Sequence, residues 1–360
     1  MNNHLSDADA DADAASTSST RLRGWRACRE ALAGSSLVSD PSLVGLTMGL
    51  SNNLLFLEGE HHQALRSLLR PFLGRARLDR AAEQLKATGD ALVCALLNET
   101  NPELMSGLAE PLVLEGIFSL LQVPEDRRPR LAGLARDMIG LLEPDLPSDV
   151  RRRAAGAALR ATLHFERDAL AGTPTGMHAA LEEAARAGII PAKLARSTPV
   201  VLLHGGYENP LNQLGCIIDL ALKDLGRFRR AASADPDLLF DEAMRTYSPV
   251  RLIARWVAED VTYAGQSLSK QDLVWVDLGS ANFDDRRFPT GRDVDLTRRR
   301  GNLGFGHGRH SCPGAALARL EGRVLIGALL RLPEEMLNKL TVQWNEGSVA
   351  RGPNRIARKS

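Results

Sequence analysis

The stretch Phe305-Gly306-His307-Gly308-Arg309-His310-Ser311-Cys312-Pro313-Gly314 sets one cysteine among glycines at the threshold of an apolar-striped helix. That helix is expected from about Gly314 to Leu332, with Leu317, Leu320, Val324 and Ala328 on one stripe. Pro313 takes the place of a first helical residue, which puts Cys312 at the cap. Unpaired backbone N–H groups and the helix dipole both favour an anion there, so the thiol is expected to lose its proton readily. Gly308 and Gly314 are expected to let the backbone turn sharply and approach a flat ligand without a Cβ in the way. A lone cysteine is usually a small buried hydrophobe. Context makes this one a candidate metal ligand.

Phe305, Gly308, Cys312 and Gly314 fit the pattern FxxGxxxCxG, which resembles the haem-binding loop of bacterial cytochromes P450. The resemblance implies a mainly α, single-domain, triangular-prism fold with a minor β component. It also implies heme b held by a Cys312 thiolate, with Phe305, Gly308 and Gly314 against the cofactor.

Further pieces stand in the family's order. Glu242-Ala-Met-Arg245, then Tyr247 and Pro249, resembles the family's ExxR helix. By spacing alone it is an ordinary i,i+3 ion pair; by resemblance it is a buried structural lock behind the cysteine loop. Ala281-Asn282 with Phe288-Pro289 resembles the meander that follows, with Asp293 and Val294 where an Arg is common, so Arg292 and Arg298 are both candidates for the third member of a Glu–Arg–Arg cluster. Glu58-Gly-Glu-His-His62-Gln-Ala-Leu-Arg66 resembles the propionate-binding helix, and Arg255 and His310 match two more propionate donors. Arg and His suit carboxylates chemically.

Upstream, Leu202-Leu-His-Gly205-Gly206-Tyr207-Glu208-Asn209-Pro210 is a kink by composition, since paired Gly and a Pro break the helical ladder. It resembles the AGxET segment of the helix that crosses the haem. Gly205 and Gly206 take the Ala-Gly places, Glu208 keeps the acid, and Asn209 replaces the alcohol. An amide donates a hydrogen bond but does not pass a proton as a hydroxyl does. Water held by Asn209 and Glu208, or a substrate hydroxyl, is the expected proton route.

Working outward, 75–99, 104–122, 126–142, 149–171 and 176–188 have apolar residues at helical spacing, and 191–224 reads as the longest helix, bounded by Pro191 and Gly226. Residues 250–265 and 267–282 have the content of short strands. Residues 283–304 lack a usable period and read as a long irregular segment of the functional kind. Residues 1–20 are low-complexity and read as a disordered tail before a haem domain over 21–360. Trp25–Leu32 resembles the helix that normally follows the first two strands of the family's main sheet, so those strands are expected to be missing or reduced.

The chain has 45 basic and 44 acidic residues, giving a net charge of +1 that argues for neither nucleic acid nor an anionic membrane as partner. Cys28, Cys94, Cys216 and Cys312 form no CxxC pair, which speaks against a disulfide scaffold or structural zinc and for a reducing cytoplasm. No apolar run approaches the ~20 residues of a membrane span.

The resemblance implies a monooxygenase acting on a small organic molecule, free or carrier-bound, by hydroxylation or by oxidative coupling or desaturation, in bacterial secondary metabolism. Electrons from NAD(P)H would arrive through ferredoxin reductase and ferredoxin, docked on Arg66, Arg70, Arg298, Arg299, Arg300 and Arg309. A haem-thiolate sensor without turnover, or a scaffold relative, is the alternative.

Overall fold

Helical spacing of apolar residues becomes packing once the chain is folded. The computed structural model describes residues 20–44, 53–289, 291, 293–298, 301–345 and 347–359. In chain order come β1 (Thr20–Leu22), α1 (Trp25–Ala33), β2 (Leu37–Val38), α2 (Gly59–Leu69), α3 (Arg75–Leu97), α4 (Glu110–Leu121), α5 (Arg128–Asp137), α6 (Ser148–Leu170) and α7 (Gly176–Arg186). Then follow α8 (Ala192–Gly205), α9 (Glu208–Lys223), α10 (Leu225–Ala234), α11 (Pro236–Tyr247), β3 (Leu252–Val257), β4 (Val261–Tyr263), β5 (Gln266–Leu268) and β6 (Leu273–Asp277). The last are α12 (Leu278–Asn282), α13 (Ala315–Arg331), α14 (Glu334–Leu337), β7 (Leu340–Asn345) and β8 (Gly352–Arg358).

The main core gathers around α13, which packs on α3, α4, α9 and α11. On α3, Ala81, Leu85, Gly89, Val93 and Leu96 are the buried positions, three or four residues apart. Gly89 lets the two helices close up, because a Cβ there would stand 2.8 Å from Val324 Cγ1. Leu317, Leu325, Ile326 and Leu329 supply the matching face of α13. Each such side chain contributes ~1.5–3 kcal/mol on burial.

A second, smaller core holds Leu22, Leu37, Val257, Val274, Val276 and Leu303 against a four-stranded sheet in the order β1-β6-β3-β2. β1 runs parallel to β6, with Leu22 opposite Val276, and the other pairs are antiparallel. β4 with β5 and β7 with β8 form separate antiparallel pairs.

Several expectations are corrected. Thr20 lies in β1, so α1 does follow a strand of the main sheet; residues 1–19 lie outside the described residues. The single helix over 191–224 is two helices, broken at Gly206 and Tyr207. Gly226 is not its stop: α9 ends at Lys223, and Asp224 caps α10 by accepting from Arg227 N–H. Residues 278–282 form the short helix α12, with Asp277 accepting from Ser280 N–H as its cap. The β7–β8 pair was not read from the sequence. Among the described residues no helix is long and apolar enough to cross a membrane.

Candidate active site

The cysteine loop owes its shape to three anchors. Gly306 and Gly308 have φ of 67° and 73°, and a Cβ on Gly308 would meet Leu32 O at 2.5 Å. The glycine thus serves the close approach of the end of α1. Arg309 reaches inward, donating to Leu37 O at 2.9 Å, to Gly34 O, and to Glu58 Oε2 at 2.9 Å. Arg66 Nη1 holds Ser311 O at 2.9 Å, and Cys312 N–H donates to Phe305 O at 2.8 Å. The Phe305 ring stacks on Phe240 and lies under the Arg319 guanidinium.

Cys312 is not the cap residue. α13 begins at Ala315 with Gly314 at its N-cap, since Pro313 and Gly314 form a turn first. The effect expected of a cap survives in part, because Gly314 and Ala315 N–H groups favour the thiolate, as do Arg66 and Arg319. Burial is the larger influence and holds the thiol above its ordinary value, against the expectation of a depressed one. The residue as a whole is nonetheless exposed to solvent. A cation in contact with the sulfur reverses that balance, because a metal-ligating thiol is deprotonated.

The proposed propionate donors come together around the loop. His62 on α2 and His310 lie with ring centroids 4.3 Å apart and planes tilted by 36°. His310 Nε2 lies 3.0 Å from Glu58 Oε1. Arg255 on β3 feels both Glu58 and Arg309. Burial, helped by His310, pushes His62 down to about 4. Burial would raise Glu58, but hydrogen bonds from His310, Ser39 N–H and Arg309 hold it at about 2. Glu58 is the member that sequence reading missed: a glutamate before a helix signals only a cap.

Arg255 tests the fit to haem. It is 8% exposed, donates to Ala254 O, and has no carboxylate in ion-pair range among the described residues; burial pushes it down to about 10. A buried guanidinium without a counter-ion is costly. A haem carboxylate supplies what is missing, so the residues fit the group.

Glu242 and Arg245 form a buried pair, with Nε and Nη2 donating to the two carboxylate oxygens at 2.9 and 3.0 Å. Arg245 also donates to the carbonyls of Asn282, Gly291 and Asp293, and Glu242 Oε2 accepts from Asp295 N–H at 3.0 Å. Of the two candidate third members, Arg298 lies 3.9 Å from Glu242 Oε2, while Arg292 lies outside the described residues. Arg298 and Arg309 are drawn into these networks, which removes them from the expected docking face; Arg299 and Arg300 lie outside the described residues.

At the helix break, Gly205 is exposed and a Cβ there would meet nothing within 4 Å. A Cβ on Gly206 would strike Ile117 Cδ1 at 2.6 Å and Leu202 O at 2.7 Å. Tyr207, at φ −108° and ψ −63°, sends its hydroxyl to Glu110. Glu208 is buried and its Oε1 accepts from Gly140 N–H at 3.0 Å. The Asn209 side chain makes no hydrogen bond among the described residues, so the structure does not join it to Glu208.

Comparison with known proteins matches the cytochrome P450 family model to residues 237–337. Cytochrome p450 CYP199A2 of Rhodopseudomonas palustris is 31% identical over 278 residues, 75% of this chain and 66% of its own length. The vitamin D(3) 25-hydroxylase of Pseudonocardia autotrophica is 29% identical over 84% of this chain and 76% of its own. P450BioI, solved in complex with an acyl carrier protein ligated to hexadec-9Z-enoic acid, superposes with a TM-score of 0.84 at 22% identity, over 94% of this chain and 91% of that one. The chain spans about two thirds to three quarters of the length of these curated relatives. On these likenesses the chain belongs to the bacterial cytochromes P450.

Proposed function

We propose that this protein is a haem-thiolate monooxygenase that oxidises a small organic molecule in bacterial secondary metabolism. The observation that carries the reading is Cys312, an exposed residue before the start of α13 whose thiolate is favoured by the N–H groups of Gly314 and Ala315 and by Arg66 and Arg319. Haem, when bound, supplies dioxygen activation for attack on a substrate C–H bond.

The chain's own residues do the rest. Cys312 would hold the haem iron through its thiolate, and Arg66 fixes the loop at that point by donating to the carbonyl of the preceding residue. His62, His310 and Arg255 would hold the carboxylates of the cofactor as donors, with Glu58 setting the orientation of His310. Gly205 leaves room beside the helix break, and Glu208 supplies an acid there. Electrons come from NAD(P)H through ferredoxin reductase and ferredoxin, and the exposed Arg70 remains available to that docking face. The likeness to a carrier-protein complex supports a tethered substrate as well as a free one.

The test is the difference spectrum of the reduced protein with carbon monoxide, followed by a search for substrates that shift the ferric spin state. A thiolate-type carbonyl band, lost in Cys312→Ala, and product formation with a ferredoxin system are the expected results. A histidine-type band, or a colourless protein after haem supplementation, overturns the reading.

A further inference from the structure

His204 takes part in no motif, yet it stands beside the helix break with its side chain against Glu208. The two are four residues apart, on either side of the break, and the turn at Gly206 and Tyr207 still brings their side chains together. His204 Nε2 lies 3.1 Å from Glu208 Oε2, and both residues are more than nine-tenths buried, at 8% and 7% exposure. Nε2 is fully enclosed, has no other hydrogen-bond partner among the described residues, and lies within proton-transfer distance of the carboxylate. The little exposure that the ring keeps therefore lies away from Nε2.

The other oxygen of Glu208 is taken by Gly140 N–H at 3.0 Å. Both oxygens thus face protein groups. The neighbouring Gly205 marks the open side of the helix, while Gly206 is closed off by Ile117. Asn209 offers an amide, which does not relay a proton. The imidazole is the group in contact with the acid that can take a proton on one nitrogen while releasing one from the other.

We propose that His204 relays protons between Glu208 and the open side of the helix at Gly205, so that the acid of the oxygen side is a histidine–glutamate pair. The proposal rests on the haem-thiolate reading. In the step itself an N–H bond at Nδ1 breaks towards water, an N–H bond forms at Nε2, and the Glu208 O–H that supplied the proton breaks. Water restores the pair by the reverse sequence, and no electrons move. His204 acts through Glu208 and is a positioning residue in that sense.

The experiment compares wild type, His204→Gln, His204→Leu and Glu208→Gln in the haem-loaded protein. In the diamagnetic ferrous carbonyl form, the ¹⁵N imidazole signal that disappears in His204→Gln identifies His204, and its Nε2 resonance is expected to move in Glu208→Gln. With substrate and redox partners, hydrogen peroxide released per NAD(P)H is expected to rise several-fold in His204→Gln and equally in His204→Leu. The double variant His204→Gln/Glu208→Gln is expected to leak no more than Glu208→Gln alone.

Glutamine keeps a hydrogen-bond donor but cannot relay. Wild-type coupling in His204→Gln, or an unmoved Nε2 signal, overturns the proposal. If His204→Leu fails to fold, judged by carbonyl yield and circular dichroism, the glutamine variant and the wild-type spectrum decide. If wild type gives no thiolate-type carbonyl band, the haem-thiolate reading has failed, and the ¹⁵N comparison on the haem-free chain still reports on the pair.

Discussion

Glu321 on α13 is fully buried, and neither of its oxygens has a partner among the described residues. Burial pushes its carboxyl well above the usual range, so it is neutral in the folded protein. Gly116 on α4 makes the room, since a Cβ there would come within 2.1 Å of Glu321 Oε1. A folded-state value above the unfolded one gives stability that is complete at low pH and lost as pH rises above the unfolded carboxylate range. Glu321→Gln removes that dependence. Its melting temperature is expected to fall less than that of wild type between about pH 5 and pH 8, as scanning calorimetry would show; parallel falls would refute the assignment. Cys312, Glu242 and Arg245 were legible in the sequence because their chemistry is tied to fixed spacing within one segment. Glu321 and Glu58 were not, because each acquires its meaning from an element distant in the chain; His204 was not, because it belongs to none of the motifs and its burial is not written in its spacing.

At the scale of elements, the loop after α5 is clasped from two sides. Glu208 holds Gly140 N–H, and Glu143 accepts from Ser348 N–H and Oγ, both at 2.9 Å, and from Val349 and Ala350 N–H. Hydrogen bonds to a charged group contribute ~1.5–3 kcal/mol net. Glu143→Ala is therefore expected to lower stability by about that amount, and to speed amide hydrogen exchange in residues 347–350 with α13 unaffected. Unchanged exchange there would show that the clasp does not hold the turn. The long helices were readable because period and burial agree, as on α3 and α6. The two halves of 191–224 share one apolar period, and that hid their separation. The break comes from local backbone geometry at Gly206 and Tyr207, together with the close pass of Ile117. The β7–β8 pair escaped notice because each strand only alternates weakly and gains its order from the other.

For the molecule as a whole, the four thiols divide into two classes. Cys28 and Cys216 are buried, and burial raises both, Cys28 to about 12; Cys94 and Cys312 are exposed. In the haem-free chain a small alkylating reagent is expected to label Cys94 and Cys312 and spare the other two. Haem loading should then protect Cys312 alone, a pattern that mass spectrometry resolves directly; continued labelling of Cys312 in the coloured protein would contradict thiolate ligation. The fold class and the site's broad layout were legible because the family motifs are spread along much of the chain. The sheet edge was not, since β1 is only Thr20–Leu22 and is defined by its pairing with β6, over 250 residues away.

One arrangement reaches beyond this chain. Arg245 grips the end of α12 and the segment after it by three main-chain carbonyls. At Asn282, Gly291 and Asp293 the guanidinium reads backbone and is indifferent to side-chain identity, while the Phe288 ring beneath it is held as a side chain. Mutational drift elsewhere in that stretch therefore carries little penalty so long as the path of the polypeptide is kept, and an alignment of its letters will understate how firmly the shape is inherited.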